Sequence, residues 1–447
     1  MDTRAQLDLL KLDKFRALVR HANAHSPYYA NLIRERAIDI GTCVPEDFPV
    51  LTKSLLMAHF DDIVTDRRLS RKVVADFLTR SSNPGDRLYK EFIVMHTSGT
   101  SGEVGYFLYA PGDYKRMNAG RQRNGKVLLA FLKKRTRRLQ RISVAFYGAT
   151  GGHYAGVTSL ALMQRGLLRL FVHAAAFEVN TPLPAVVAGL NDFQPELLFG
   201  YTTALRMLAD EQRAGRLRIA PIVVMASGEV TTSNDMNVLS DTFGGATTLS
   251  IYACTEHMAL GHSNPDGETM TLADDNLYFE LHEDHTIVTN LFNYTMPLIR
   301  YRMSDILQQV SPPEAPHIVI RNLVGRSELL PTFQNSAGAT DFLSPHTINE
   351  IFVQGVTRFQ MRLTGPTTFR FPVCVEPGLD EAARAAVVAA VAARLNEILA
   401  QKGLGNVTFE TLIVDEIPLN TLTRKFQLIV DERDARTTNQ GPVGGIR

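Results

Sequence analysis

Apolar and polar positions follow two different periods along this chain. Up to about residue 90 the apolar residues recur at helical spacing. In the opening MDTRAQLDLLKLDKFRALVR, Leu7, Leu9, Leu10, Leu12 and Phe15 predict an amphipathic helix. From 91 onward short β-rich runs appear: EFIVM (91–95), RISVAFYG (141–148), RLFVHA (169–174), ELLFGY (196–201), IVVMASG (222–228) and TLSIYA (248–253). Helix-length segments such as VTSLALMQRG, PAVVAGLNDF and TTALRMLADEQRAGRL lie between them. This alternation predicts an α/β fold with largely parallel sheets. Between 277 and 325, NLYFELHED, HTIVTNLF, LIRYRMSDIL and HIVIRNLVG follow one another without helices, which predicts an antiparallel or barrel-like subdomain.

Beyond GRSELL (325–330) the pattern changes again. A helix (PHTINEIFVQ), strands (RFQMRLTG, TTFRFPVCVEP), an Ala-rich helix (DEAARAAVVAAVAARLNEILAQKG) and a strand (NVTFETLIVDE) predict an α+β domain of ordinary size. The expected organisation is a large domain over 1–325, a small domain over 326–433 and a loose tail over 434–447.

Composition narrows the class. Lys and Arg number 47 against 46 Asp and Glu, so no global field favours nucleic acid. Cys43, Cys254 and Cys374 are far apart and odd in number, which fits a reducing compartment and gives no CxxC knuckle. No run approaches the roughly 20 apolar residues of a membrane span. A cytoplasmic protein without a membrane or nucleic-acid partner is the expectation.

The candidate chemistry begins at HTSGTSGEVGYFLYA (96–110), where glycines and small hydroxylated residues sit between two apolar runs. A Walker loop needs GxxxxGK[ST], and Glu103 and Val104 follow Gly102, so that reading fails. A hairpin turn and a loop whose N–H groups wrap phosphates both remain. Downstream come SGE (227–229), IYACTE (251–256), PLIRYRMSDI (297–306), GRSELL (325–330) and IPLNTLTRKFQLIVDER (417–433).

In this order these motifs resemble the adenylate-forming superfamily of acyl-CoA synthetases, and look closest to its phenylacetate-CoA ligase-like branch. The resemblance implies an α/β protein: a large N-terminal domain of mixed and parallel sheets with helices and an antiparallel β subdomain, and a small mobile α+β C-terminal domain. It implies ATP-dependent activation of a carboxylic acid to an acyl-AMP with Mg2+, then transfer to CoA. The alternatives are transfer to an amine or a carrier-protein thiol, and a non-catalytic nucleotide-binding relative. A homodimer is also allowed for.

Residue by residue, the resemblance gives Thr97, Ser98, Gly99, Thr100, Ser101 and Gly102 the β- and γ-phosphates. Glu103 stands where relatives commonly carry a cation. Ser227, Gly228 and Glu229 would flank the adenine and Tyr252 would stack on it. Thr255 would donate to the α-phosphate and Glu256 would hold magnesium, an ion that prefers oxygen ligands shared with phosphates. Asp305 would accept the ribose hydroxyls, with Arg326 nearby, and Glu328 falls at the hinge. Lys425, with Arg424 as runner-up, would bridge the carboxylate and α-phosphate. Phe146, Tyr147, Gly151, Gly152, His153 and Tyr201 are candidates for the acid pocket, suiting an aromatic or medium apolar acid. The segment PTFQNSAGATDFLSP lacks the family's arginine–glycine pair, with Gly338, Phe342 and Pro345 as partial matches.

Two further signals read as structural. KKRTRRLQR (133–141) is a solvated helix end, although phosphate, CoA or a carrier protein could use it. Cys254, His257 and His262 fall short of the four ligands of structural zinc.

Overall fold

The computed structural model of the protein describes residues 3–97, 104–118, 130–131, 140–283, 285–303, 305–321, 331–344, 347–348, 351, 353–418 and 428–433. The chain divides into two compact units. One comprises Met1–Thr97, Gly105–Phe177 and Gly189–Gly325; the other comprises Ser98–Val104, Glu178–Ala188 and Arg326–Arg447.

The first unit opens with helices over Arg4–His25, Pro27–Glu35, Lys53–Ala58, Phe60–Ile63 and Arg71–Arg80. Ser26, Thr52 and Ser70 cap three of them, each accepting a backbone N–H from the first turn. The first helix buries Leu7, Lys11, Phe15, Leu18, Val19 and Ala22, whereas Leu9 is 66% exposed. The expected apolar stripe is therefore corrected: every third or fourth residue faces the core, and Leu9 falls off that face. Lys11 takes a core position because its stem packs while its ammonium lies 2.8 Å from Asp8 and 5.1 Å from the centre of the Tyr278 ring.

A hairpin of β1 (Ile93–His96) and β2 (Tyr106–Tyr109) follows, with His96 opposite Tyr106 at the loop end. The main sheet holds β3 (Ile142–Gly148), β4 (Val172–Glu178), β5 (Leu197–Tyr201), β6 (Val223–Ser227), β7 (Thr247–Cys254), β8 (Met258–Ser263), β9 (Thr269–Leu272) and, at its far edge, a strand over Val319–Arg321. Strands β3, β5, β6 and β7 run parallel; β8 and β9 continue antiparallel. The helices Ala155–Met163 and Thr202–Arg213 pack on this sheet, as the alternating pattern predicts. The run RLFVHA starts later than its β-rich pattern suggests: Gly166–Leu170 is a 3-10 turn, β4 begins at Val172, and Leu170 and Phe171 stay exposed.

A separate antiparallel sheet joins β10 (Leu277–Leu281), β11 (Thr286–Asn290) and β12 (Tyr301–Met303). The expected antiparallel subdomain holds for these three. The strand Val319–Arg321, β13, instead pairs with β9, because its partner edge lies on the main sheet.

In the second unit, β14 (Thr332–Gln334) and β15 (Thr340–Phe342) form a hairpin. The strands β16 (Val356–Phe359), β17 (Met361–Gly365), β18 (Thr368–Val375), β19 (Thr408–Ile413) and β20 (Ile429–Asp431) form one sheet centred on β18. RFQMRLTG becomes two strands, β16 and β17, each antiparallel to β18. The Ala-rich helix spans Glu381–Lys402; Asp380 caps its start, and Gly403 ends it at φ 75°, a conformation that favours glycine. Val387, Val391, Leu395, Ile398 and Leu399 face the sheet and close the core with Phe369 and Phe371. Lys402 is buried, donates to the carbonyls of Val179 and Thr181 at 2.9 and 3.0 Å, and pairs with buried Asp341 at 3.1 Å.

Candidate active site

The phosphate-loop candidate is the connection between β1 and β2. Its mouth is closed by Thr97: its N–H donates to the Gly105 carbonyl at 2.9 Å, and its Oγ1 accepts from the Gly105 N–H at 3.0 Å. Ser98, Gly99, Thr100, Ser101, Gly102 and Glu103 lie outside the described residues. Lys53 was missed in the sequence. Its Nζ donates to Thr97 Oγ1 at 3.1 Å, and its charge reaches the Glu256 carboxylate. The available signal was a lysine at the first position of a helix, where the dipole disfavours a cation.

The second part of the site is the β7–β8 turn. A register shift after Tyr252 and the left-handed Met258 (φ 60°) shape it. The buried Tyr109 hydroxyl lies 2.8 and 2.9 Å from the carbonyls of Thr255 and Glu256 and fixes the turn against β2. Tyr252 is 7% exposed and donates its hydroxyl to Asp305 Oδ2 at 2.7 Å, a charge-assisted bond between residues 53 positions apart. Asp305 follows β12, so two different sheets bring this pair together. Burial pushes the Glu256 carboxyl above the usual glutamate value; Lys53 pulls it back and Asp305 pushes it further. Burial and the Glu256 charge raise the Cys254 thiol, which makes it a poor thiolate nucleophile. His257 is fully buried and held neutral by desolvation. Among the described residues no group of three or more His, Cys, Asp or Glu is placed to hold a metal ion.

On β6, Ser227 leads into Gly228 at φ 80°, where an added Cβ would stand 3.0 Å from the Tyr201 ring. Glu229 accepts from the Thr203 N–H at 2.7 Å and its hydroxyl at 2.9 Å, so its carboxylate caps the helix Thr202–Arg213. Tyr201 accepts the Ala149 N–H at 3.3 Å, tying β5 to the loop after β3.

The acid-pocket candidates divide. Phe146 is 1% exposed, lies 4.8 Å from Phe199, and has Gly148 and Gly156 against its ring: it is packed in the core. Tyr147 is also fully buried, on the opposite face of β3. Gly151 and Gly152 stand in the loop that follows; Gly151 has open space beside it and Gly152 faces His96 Nε2 and Tyr154. His153 Nε2 lies 3.1 Å from the Ser81 carbonyl and the ring meets Phe77 at 5.2 Å. Burial holds His153 below the ordinary histidine value. His96 and Tyr154, whose rings are 4.6 Å apart, are additional residues at this loop.

Arg326, Glu328, Arg424 and Lys425 lie outside the described residues, as do the tail 434–447, Pro345 and the basic positions 133–139. In the second unit, Gly338 adopts φ 76° in the β14–β15 turn and Phe342 is buried. An open cleft of about 550 Å3, lined by residues such as Arg36, Asp39 and Asp47, contains no predicted site residue.

The fold is that of the adenylate-forming ligases. Among solved structures, 2-hydroxyisobutyryl-CoA ligase in complex with 2-HIB-AMP and CoA, in the thioesterification state, is similar over 98% of this chain and 92% of that one, at 18% identity and a TM-score of 0.55. The same ligase in its postadenylation state with 2-HIB-AMP is similar over 96% and 90%, at 17% identity and a TM-score of 0.53. An open conformation of it with 2-HIB-AMP and CoA is similar over 94% and 90%, at 17% identity and a TM-score of 0.51. No family model and no curated protein matches the chain.

Proposed function

We propose that this protein activates a carboxylic acid with ATP, releasing pyrophosphate and forming an acyl-AMP, and then transfers the acyl group to CoA. The observation that carries this reading is the Tyr252–Asp305 hydrogen bond, set beside Glu256 and the Lys53–Thr97 pair in a protein of this fold. In the first step a carboxylate oxygen attacks the α-phosphorus, the bond to the β-phosphate oxygen breaks, and pyrophosphate carries away the electron pair. In the second, the CoA sulfur attacks the acyl carbon and AMP leaves.

Asp305, oriented by Tyr252, accepts the ribose hydroxyls, while the Tyr252 ring meets adenine with Ser227, Gly228 and Glu229 along its edge. Thr255 donates to the α-phosphate, and Lys425 bridges it to the carboxylate. Arg326 approaches the ribose and Glu328 serves as the hinge. The loop Thr97–Gly102 wraps the β- and γ-phosphates, and Lys53 supplies the cation that the loop lacks at Glu103. The donor chemistry fits magnesium, since Glu256 offers a carboxylate that desolvation makes costly to leave uncompensated. Bound there, magnesium would draw charge off the phosphates. The phenylacetate-CoA ligase-like motifs and the loop Gly151–Tyr154 favour an aromatic or medium apolar acid.

A second reading of the acceptor, an amine or carrier-protein thiol, draws on the β14–β15 hairpin occupying the segment where the arginine–glycine pair was expected. Pyrophosphate release with a panel of acids, with and without CoA, tests both. Release followed by thioester is expected. Acyl-AMP without thioester would move the acceptor to the second reading, and no release with any acid would leave only a nucleotide-binding role.

A further inference from the structure

An open cleft of about 300 Å3 on the first unit is lined by Phe77, Asp86, Arg87, Lys90 and Arg165. It shares no residue with the candidate nucleotide site. Three cations and one acid line it, and the acid is already engaged. Asp86 accepts from Ser81 Oγ at 2.6 Å and from Asn83 Nδ2 at 3.1 Å, closing its own turn. The neighbouring Glu91 pairs with Arg68 at 2.9 Å. Among the described residues no carboxylate pairs with Arg87, Lys90 or Arg165.

The arginines are placed at a cost. Arg87 Nε is buried with no hydrogen-bond partner. Burial, and the Arg165 guanidinium nearby, hold Arg87 below the ordinary arginine value. Arg165 itself reaches over Gly85, where an added Cβ would stand 3.4 Å from its Nη2. Lys90 and Tyr89 both adopt left-handed backbone, at φ 60° and 55°, in a tight loop closed by the Leu88–Phe92 bridge. Strain of this kind persists where the surroundings enforce it, and it recurs at ligand clamps.

Two like charges held close are relieved by one oxyanion placed between them. With Asp86 counted, the lining carries a net charge of +2; a carboxylate would compensate half of it, whereas a phosphate dianion balances it and matches the fork of a guanidinium. We propose that this cleft binds a phosphate group, inorganic or a monoester, with Arg87 and Arg165 as its hydrogen-bonding cations and Lys90 as the third charge. Phe77 ties the cleft to the candidate acid pocket, since its ring lines the one and meets His153 of the other.

The test is thermal unfolding of the full chain against increasing sodium phosphate, with sodium chloride at matched ionic strength as reference. Phosphate should raise the melting temperature of the wild type. Arg165→Gln and Arg87→Gln should each weaken the apparent phosphate affinity by about tenfold or more, the loss expected for one charge-assisted hydrogen bond. Without phosphate at low salt, Arg165→Gln should be at least as stable as wild type, because the like-charge contact is gone. A purely structural arginine would give the opposite. Lys53→Gln, at the nucleotide site, should keep the response. If Arg87→Gln does not fold, the exposed Arg165→Gln decides. Wild-type phosphate affinity in Arg165→Gln, or loss of the response in Lys53→Gln alone, would overturn the proposal. The source of the phosphate follows from competition. CoA displacing phosphate where 3′-dephospho-CoA does not would identify the 3′-phosphate of CoA. Equal failure of both would identify free phosphate.

Discussion

Tyr252→Phe isolates one atom of the candidate nucleotide site. The phenyl ring keeps the volume and stacking face of Tyr252 and removes only the hydroxyl that donates to Asp305 at 2.7 Å. A hydrogen bond to a charged acceptor is worth about 1.5–3 kcal/mol, or roughly 10- to 150-fold in affinity. Asp305 is only partly buried, so water replaces some of what is lost, and the lower end applies. The expected result is a Kd for AMP about tenfold weaker, measured by calorimetry. Asp305→Ala should weaken AMP further, yet leave 2′,3′-dideoxy-AMP nearly unaffected, because that ligand lacks the hydroxyls in question. The double variant should match Asp305→Ala, since the Tyr252 hydroxyl acts through the aspartate. AMP affinity within twofold of wild type for Tyr252→Phe, or full additivity in the double variant, would refute this account of the pair.

Other substitutions test other parts of the molecule. Folding raises the Glu256 carboxyl, so the stability it contributes is present at low pH and lost as pH rises through the raised value. Glu256→Gln should therefore raise the melting temperature of the ligand-free protein at pH 7.5 while abolishing pyrophosphate release; a lower melting temperature would contradict the desolvation argument. Lys402→Met leaves Asp341 as a buried charge without its cation and should cost about 3–5 kcal/mol in urea unfolding. Lys402→Met with Asp341→Leu should recover much of that loss, and a single variant as stable as wild type would show that the pair is already relaxed. Lys425→Ala should abolish acyl-AMP formation while AMP still binds; normal adenylation in that variant would remove Lys425 from the mechanism.

Much of the fold was legible in the chain. The strands β3, β5, β6 and β7 read as apolar runs between helix-length segments because a parallel sheet is covered on both faces. The Ala-rich helix carried its own cap and terminal glycine in Asp380 and Gly403. What was less legible depended on neighbours distant in sequence. Val319–Arg321 looks like another antiparallel strand, and only its partner β9 assigns it to the main sheet. Phe146 reads equally as pocket wall or core; Gly148, Gly156 and Phe199 around its ring decide for packing. Lys53 carried a faint signal because a lysine beginning a short helix is ordinary until Thr97 is seen beside it.

The order of the motifs, from the Thr97 loop through Tyr252 and Asp305 to Lys425, belonged to the sequence alone, because each motif is a local arrangement of residue types. Local patterns carry backbone preference and side-chain chemistry, and these were enough to single out the residues. The pairings belonged to the tertiary structure: Tyr252 with Asp305, Lys53 with Thr97 and Glu256, and Arg87 beside Arg165. Each joins segments that are remote along the chain, and only sheet order and loop closure bring their charges within hydrogen-bonding or Coulombic range.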